Sequence, residues 1–238
     1  MRHGKRVLVV IPARGGSKGI PRKNIIPVAG KPLITYTTEL LREIPWVDWA
    51  VVSTDDRDIA KEALRAGTTE IVWRPEELSG DRIGDMPVLA HALSESEATT
   101  GERCDVVVML QPTSPLRTAS DIEECVDTLL EGSWDSVWTV SETELSHHPQ
   151  KQVKLSPDGV LDFYLESGSL IIARQQLEPA FHRNGVCYAF TADFVRRSDS
   201  VFSPGKSTAR VTPGQHISID TPEEIVAVER EMQNRAMR

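Results

Sequence analysis

Residues Val7 to Asn24 read VLVVIPARGGSKGIPRKN: an apolar run followed at once by a basic loop rich in glycine. The run Val7–Ile11 lacks polar alternation, which suits a strand covered on both faces in a parallel sheet. Outward from it the same unit recurs. A helical stretch over 32–44 leads to Ala50–Thr54, and a helix entered at Asp55-Asp56 and closed near Gly67 leads to Glu70–Arg74. A helix around Met86–Ser96 then precedes Val106–Leu110. This β-α-β-α order predicts an α/β fold, a Rossmann-like doubly wound architecture with a mostly parallel sheet.

Two later helices are marked by their starts. Ser120-Asp-Ile-Glu123 reads as a capping box, as does Thr221-Pro-Glu-Glu224 with Pro222 at the first helical position. Between 141 and 181 the pattern changes. Turn signals such as Pro157-Asp-Gly159 separate short runs and no long helix is indicated. The chain is therefore expected to be one domain, 1–238, with 141–181 as an excursion from the main sheet. That excursion suits pairing with another subunit as a small dimerisation arm, and equally suits a folded-back surface hairpin.

Composition narrows the function. Apolar residues are 39%, charged residues 26% and the net charge is −8, the balance of a packed globular chain. An acidic surplus argues against a nucleic-acid coat, because phosphate-backbone binders carry a basic face. A pocket can still be locally positive. No apolar run approaches the roughly 20 residues that span a bilayer, so no membrane partner is expected. Three scattered cysteines, Cys104, Cys125 and Cys187, form no C-x-x-C pair. They suit a reducing compartment, and a cytoplasmic location is the expectation.

The chemistry concentrates after the first strand. Glycines let backbone N–H groups approach a ligand, and Arg14, Lys18 and Lys23 set cations on one loop at a strand's carboxyl end, where open α/β sheets bind ligands. A polyphosphate is the natural partner. The loop is neither a Walker A motif nor a G-x-G-x-x-G turn.

Arg14 to Asn24, RGGSKGIPRKN, closely resembles the signature of acylneuraminate cytidylyltransferases, the CMP-sialic acid synthetases. Arg74-Pro75 with Leu78-Ser-Gly-Asp81, Gln111-Pro-Thr-Ser-Pro-Leu-Arg117, Arg174-Gln-Gln-Leu177 and Asn184-Gly185 fall in the family's order and spacing. The resemblance implies a CTP-dependent nucleotidyltransferase acting on an acidic sugar, with Mg²⁺ (or Mn²⁺) and a homodimeric assembly. It implies that Arg14, Ser17 and Lys18 hold the triphosphate, with Lys23 and Asn24 near the α- and β-phosphates. Arg74 and Gln111 would contact the nucleotide, Gln111 near the cytosine edge and also beside the sugar. Asn184 and Tyr188 would line the sugar pocket. Lys151 and Arg174 would lie near the sugar and its carboxylate, at least one reaching across a dimer interface.

Plainer readings stand beside these. Gln111 also suits a loop tie, Arg174 a surface cation, Asn184-Gly185 a turn, and Tyr188 strand core. His147-His148 reads as loop rather than metal site. The resemblance also implies two metal-organising aspartates before the last helix. Here the stretch is His216-Ile-Ser218-Ile-Asp220: Asp220 is present and Ser218 stands at the first position. On a strand the two would share a face. One metal held largely by Asp220 and the phosphates, with the uncharged Ser218 hydroxyl as a further ligand, is expected. Phe181-His182-Arg183 and Val201-Phe202 also depart from the family's pattern in the acceptor pocket, which leaves the sugar's identity open. So do the other readings, the same chemistry on another small acid or a nucleotide-binding module without turnover. No general base stands out.

Overall fold

The computed structural model describes residues 1–68 and 70–237. A central sheet has helices on both faces. In chain order, β1 (Val7–Pro12) is followed by a short hairpin of β2 (Pro27–Val28) and β3 (Lys31–Pro32), then α1 (Leu33–Leu40), β4 (Trp49–Thr54), α2 (Arg57–Arg65) and β5 (Glu70–Trp73). Next come α3 (Asp85–Thr100), β6 (Val106–Met109), α4 (Ala119–Glu131) and β7 (Ser136–Glu142). After an arm carrying β8 (Val153–Leu155) and β9 (Leu161–Phe163), the chain returns as β10 (Phe181–Thr191), α5 (Ala192–Arg197), β11 (Ser207–Val211) and α6 (Pro222–Ala236).

The main sheet has seven strands in the order β11-β7-β10-β6-β1-β4-β5. β1 pairs in parallel with β4 and β6, β4 with β5, and β7 with β11, while β10 runs antiparallel between β6 and β7. The sheet is thus mostly parallel, as its unalternating strands predict. β1 shows why: Val7, Val9 and Ile11 face a core with α1, α2 and α4, whereas Leu8 and Val10 face one with α3 and α5. Both faces are covered, so each position must be apolar. Each fully buried aliphatic side chain contributes about 1.5–3 kcal/mol of transfer free energy.

Helix ends follow local chemistry, with one correction. Asp56 caps α2 by accepting from the N–H groups of Asp58 and Ile59. The box on α4 is not Ser120–Glu123 but Thr118–Asp121: Asp121 N–H donates to Thr118 Oγ1 at 3.3 Å, and Thr118 N–H donates to the Asp121 carboxylate at 2.8 Å. The Thr118 box starts the helix earlier and leaves Ser120 inside it. The box at Thr221 and Glu224 stands where expected, with Pro222 first in α6.

Over 143–180 the chain leaves the sheet, forming the β8–β9 hairpin and short 3₁₀ turns with no long helix, while Ser141, Glu142 and Phe181, included in the expected excursion, belong to β7 and β10.

Candidate active site

Strand order reverses direction of progress between β1 and β6, whose neighbours in sequence lie on opposite sides. The loops after these two strands flank the resulting crevice, the place where open α/β sheets bind ligands. A small apolar cluster holds the crevice together. Ile20 of the basic loop, Leu116 of the loop after β6 and Ile219 before α6 pack with Val28, Leu33 and Val228. Ile219 N–H donates to Thr113 O at 2.8 Å. Gly19 runs so close to this segment that a Cβ there would meet the Asp220 carbonyl at 2.9 Å. The Gly15 N–H donates to Asp55 at 2.8 Å, and Asn24 Nδ2 donates to Arg14 O at 3.0 Å, closing the loop on itself.

The cavity there has a volume of about 640 Å³ and is lined by Arg14, Ser17, Lys18, Lys23, Asn24, Arg74, Gln111, Ser218 and Asp220. Residues far apart in sequence, each singled out by motif, therefore share one wall system. Its cations are engaged. Lys18 Nζ lies 2.5 Å from Asp81, and Arg14 reaches both Asp81 (3.1 Å) and the Gly80 carbonyl (2.9 Å). These two cations hold the Asp81 carboxyl below the usual carboxylate range, with Lys18 the larger cause. Lys23 Nζ lies 2.7 Å from Asp220.

A second wall comes from β5 and α3. Arg74 is clamped: Nε donates to Ser53 Oγ at 3.2 Å and Nη2 to Ser53 O at 2.9 Å. Burial pushes its guanidinium pKa down. Asp85, the first residue of α3, lines the same cavity. Burial pushes its carboxyl up, while Arg183 and Arg74 pull it down. No motif marked Asp85, because its meaning depends on which residue it faces.

The loop after β6 is fixed from below by Arg117, which is buried. It donates to Thr37 Oγ1 (3.1 Å), to the Gln111 carbonyl and to Gly185 O (3.3 Å). Burial depresses its pKa to about 10. A buried cation held by backbone carbonyls sets where Gln111 stands.

The four other sugar-site residues expected from the resemblance are not part of this cavity's lining. Lys151 and Arg174 are exposed on the arm. Asn184 is buried, its amide donating to Ser141 Oγ (3.0 Å) and Thr212 Oγ1 (2.7 Å). Asn184-Gly185 is not a turn but an irregularity inside β10, with Gly185 at φ +71°. A Cβ there would meet Ser114 Oγ at 2.8 Å, so glycine lets β10 pass the loop after β6. Tyr188 is buried in strand core, edge-on to Trp138 at 6.1 Å. Arg183 lies over the same Trp138 ring at 5.6 Å. His148 accepts from Gln150 N–H and bonds Glu178 O through its other ring nitrogen, which agrees with the loop reading.

Ser218 and Asp220 both line the cavity, with Ser218 Oγ donating to Asp220 Oδ2 at 3.4 Å. They share a side although the segment is irregular rather than the strand expected. Among the described residues no group of three or more His, Cys, Asp or Glu side chains forms a metal cage. One carboxylate and one hydroxyl are hard oxygen donors, and they suit Mg²⁺, which keeps several waters and takes further ligands from substrate phosphates.

Comparison with known proteins places this arrangement. The pseudaminic acid cytidylyltransferase of Campylobacter jejuni is 29% identical over 218 residues, 92% of this chain and 92% of that one. The CMP-N,N'-diacetyllegionaminic acid synthase of Legionella pneumophila is 31% identical over 218 residues, covering 91% and 92%. An N-acylneuraminate cytidylyltransferase of Streptococcus agalactiae is 30% identical over 224 residues, 93% of this chain and 52% of that one. The solved CMP:2-keto-3-deoxy-manno-octonic acid synthetase, complexed with CTP, shares the fold with a TM-score of 0.70 at 17% identity, covering 97% of this chain and 99% of that one. Residues 8–238 match the cytidylyltransferase family, so with its basic loop, its crevice and its Rossmann-like sheet this chain belongs to that family and is a nucleotidyltransferase.

Proposed function

We propose that the protein transfers the cytidylyl group of CTP to a nonulosonic acid, giving a CMP-sugar and pyrophosphate. The observation that carries this reading is the gathering of Arg14, Lys18, Lys23 and Arg74 around one cavity that Asp220 also lines. The related enzymes suggest the substrate class: pseudaminic, legionaminic and acylneuraminic acids. In this mechanism the anomeric hydroxyl of the sugar attacks the α-phosphorus, losing its proton to solvent, as the bond from that phosphorus to the oxygen it shares with the β-phosphate breaks and pyrophosphate leaves. The obstacle is electrostatic, an oxygen nucleophile meeting a polyanion, and positioned cations lower it. Arg14, Ser17 and Lys18 bind the triphosphate tail, while Lys23 and Asn24 stand toward the α- and β-phosphates. Asp220, with Ser218, would hold Mg²⁺, which would supply charge neutralisation at the leaving group.

The acceptor side is completed by a second copy in this reading. Lys151 and Arg174 stand on the arm, outside their own chain's cavity, where a partner subunit can receive them. Half of the exposed large apolar side chains among the described residues lie in the arm, Ile172 at 93% exposure foremost. A patch of that kind on a soluble chain suits an interface. A homodimer in the cytoplasm, using CTP and an acidic sugar, is the assembly proposed.

The test is pyrophosphate release from CTP and Mg²⁺ with a panel of acidic sugars. Release with a nonulosonate supports the reading. Release only with another small acid, or CTP binding without turnover on any acceptor, overturns it.

A further inference from the structure

One wall of the cavity carries a donor and an acceptor without hydrogen-bond partners among the described residues. Arg74 uses Nε and Nη2 on Ser53, and its Nη1 makes no hydrogen bond among the described residues. The side chain is 8% exposed, so its remaining N–H groups have a fixed direction. Asp85 stands partly buried, and its carboxylate likewise makes no hydrogen bond among the described residues, although Arg74 and Arg183 act on it electrostatically. Leaving a half-buried carboxylate without a donor is costly, and a ligand group can supply one. Both residues sit at the ends of regular elements, after β5 and at the start of α3, so neither follows a mobile loop.

A cytosine edge presents an amino donor beside two acceptors, the ring N3 and O2. Uracil presents a carbonyl acceptor and an N–H donor instead. A carboxylate accepts only, whereas the side-chain amide of Gln111 offers both roles and fits either base by turning over. Resting on the reading of this cavity as a CTP site, we propose that Asp85 accepts from the cytosine amino group while Arg74 donates to the adjoining acceptors, making Asp85 the residue that selects CTP over UTP. Facing uracil, the same carboxylate would meet a carbonyl oxygen.

Asp85 also lies in the first turn of α3, where a negative charge favours the helix, so a purely structural role has to be separated from base selection. Isothermal titration of CTP and of UTP, each with Mg²⁺, into the full chain and into Asp85→Asn does so. Wild type is expected to favour CTP, and Asp85→Asn to lower that preference by about tenfold or more, because its amide can turn a donor toward uracil. Asp85→Ser, which keeps a small polar group at the helix start, provides a second variant should the first fold poorly. Preference for CTP retained in full by both variants, or an equal loss for both nucleotides, overturns the assignment alone. Wild type that binds neither nucleotide overturns the assignment together with the reading of the cavity.

Discussion

The basic loop over 13–24 and the arm over 143–180 are both departures from the sheet, yet they are finished differently. The loop is completed inside its own chain: Ile20 packs with Ile219, Asn24 bonds Arg14, and Gly15 bonds Asp55. The arm ends in a hairpin whose side chains Leu155, Leu161 and Tyr164 point into solvent. Where a segment is satisfied locally, its motif can be read from sequence. Where its apolar face is left uncovered, its meaning depends on something outside the chain.

That contrast is open to experiment. The largest effect is expected at Lys18, whose side chain is 80% exposed, so its removal should cost function and not fold. Lys18→Ala should slow pyrophosphate release by about a hundredfold or more, in the range of losing a charge-stabilising group, while thermal melting stays within a few degrees of wild type. An unchanged rate would end the reading of the loop. On the arm, the double substitution Leu170→Asp, Ile172→Asp should weaken self-association by about a hundredfold, read by sedimentation velocity, with CTP binding retained. An unaltered oligomer would make the arm a plain surface hairpin. Ser218→Asp should lower the Mg²⁺ concentration for half-maximal rate by about tenfold, as one added carboxylate strengthens an oxygen site. A titration that does not move would remove Ser218 from the metal's surroundings.

The smallest effect lies outside both regions and serves as a control. Arg2 bonds Asp127 through Nε at 2.7 Å and through Nη2 at 2.5 Å, and this holds the Asp127 carboxyl below its ordinary range. A carboxyl depressed in the folded state stabilises above its unfolded pKa, and that stability is lost as pH falls through the folded value. Asp127→Asn should thus cost at most about 1 kcal/mol near neutrality, with the difference from wild type fading below about pH 4 in denaturant titrations. Nucleotide binding should not change.

Much of the fold was legible because its signals are local. β1 alternates between two cores, and a run apolar at every position announces that arrangement. The cation loop was legible for the same reason. The late strands were harder. β10 carries Asn184-Gly185 in its interior, and this pair looks like a turn until β6's loop is seen passing beside it. The α4 start was misplaced because two overlapping S/T-x-x-acid patterns compete, and only the backbone shows that Thr118 wins. Asp85 and Arg74 are eleven residues apart with a loop between them, and nothing in either neighbourhood says that they face one cavity.

The contact of Asp81 with Lys18 and Arg14 has a consequence for affinity. On the proposed reading, an incoming triphosphate would meet two cations already partly neutralised by an internal anion, so its binding would be an exchange and not a simple gain. Its strength would then be the difference between two sets of charge contacts. The same competition would work after reaction: as pyrophosphate loosened, Asp81 would be the nearby replacement partner for both cations.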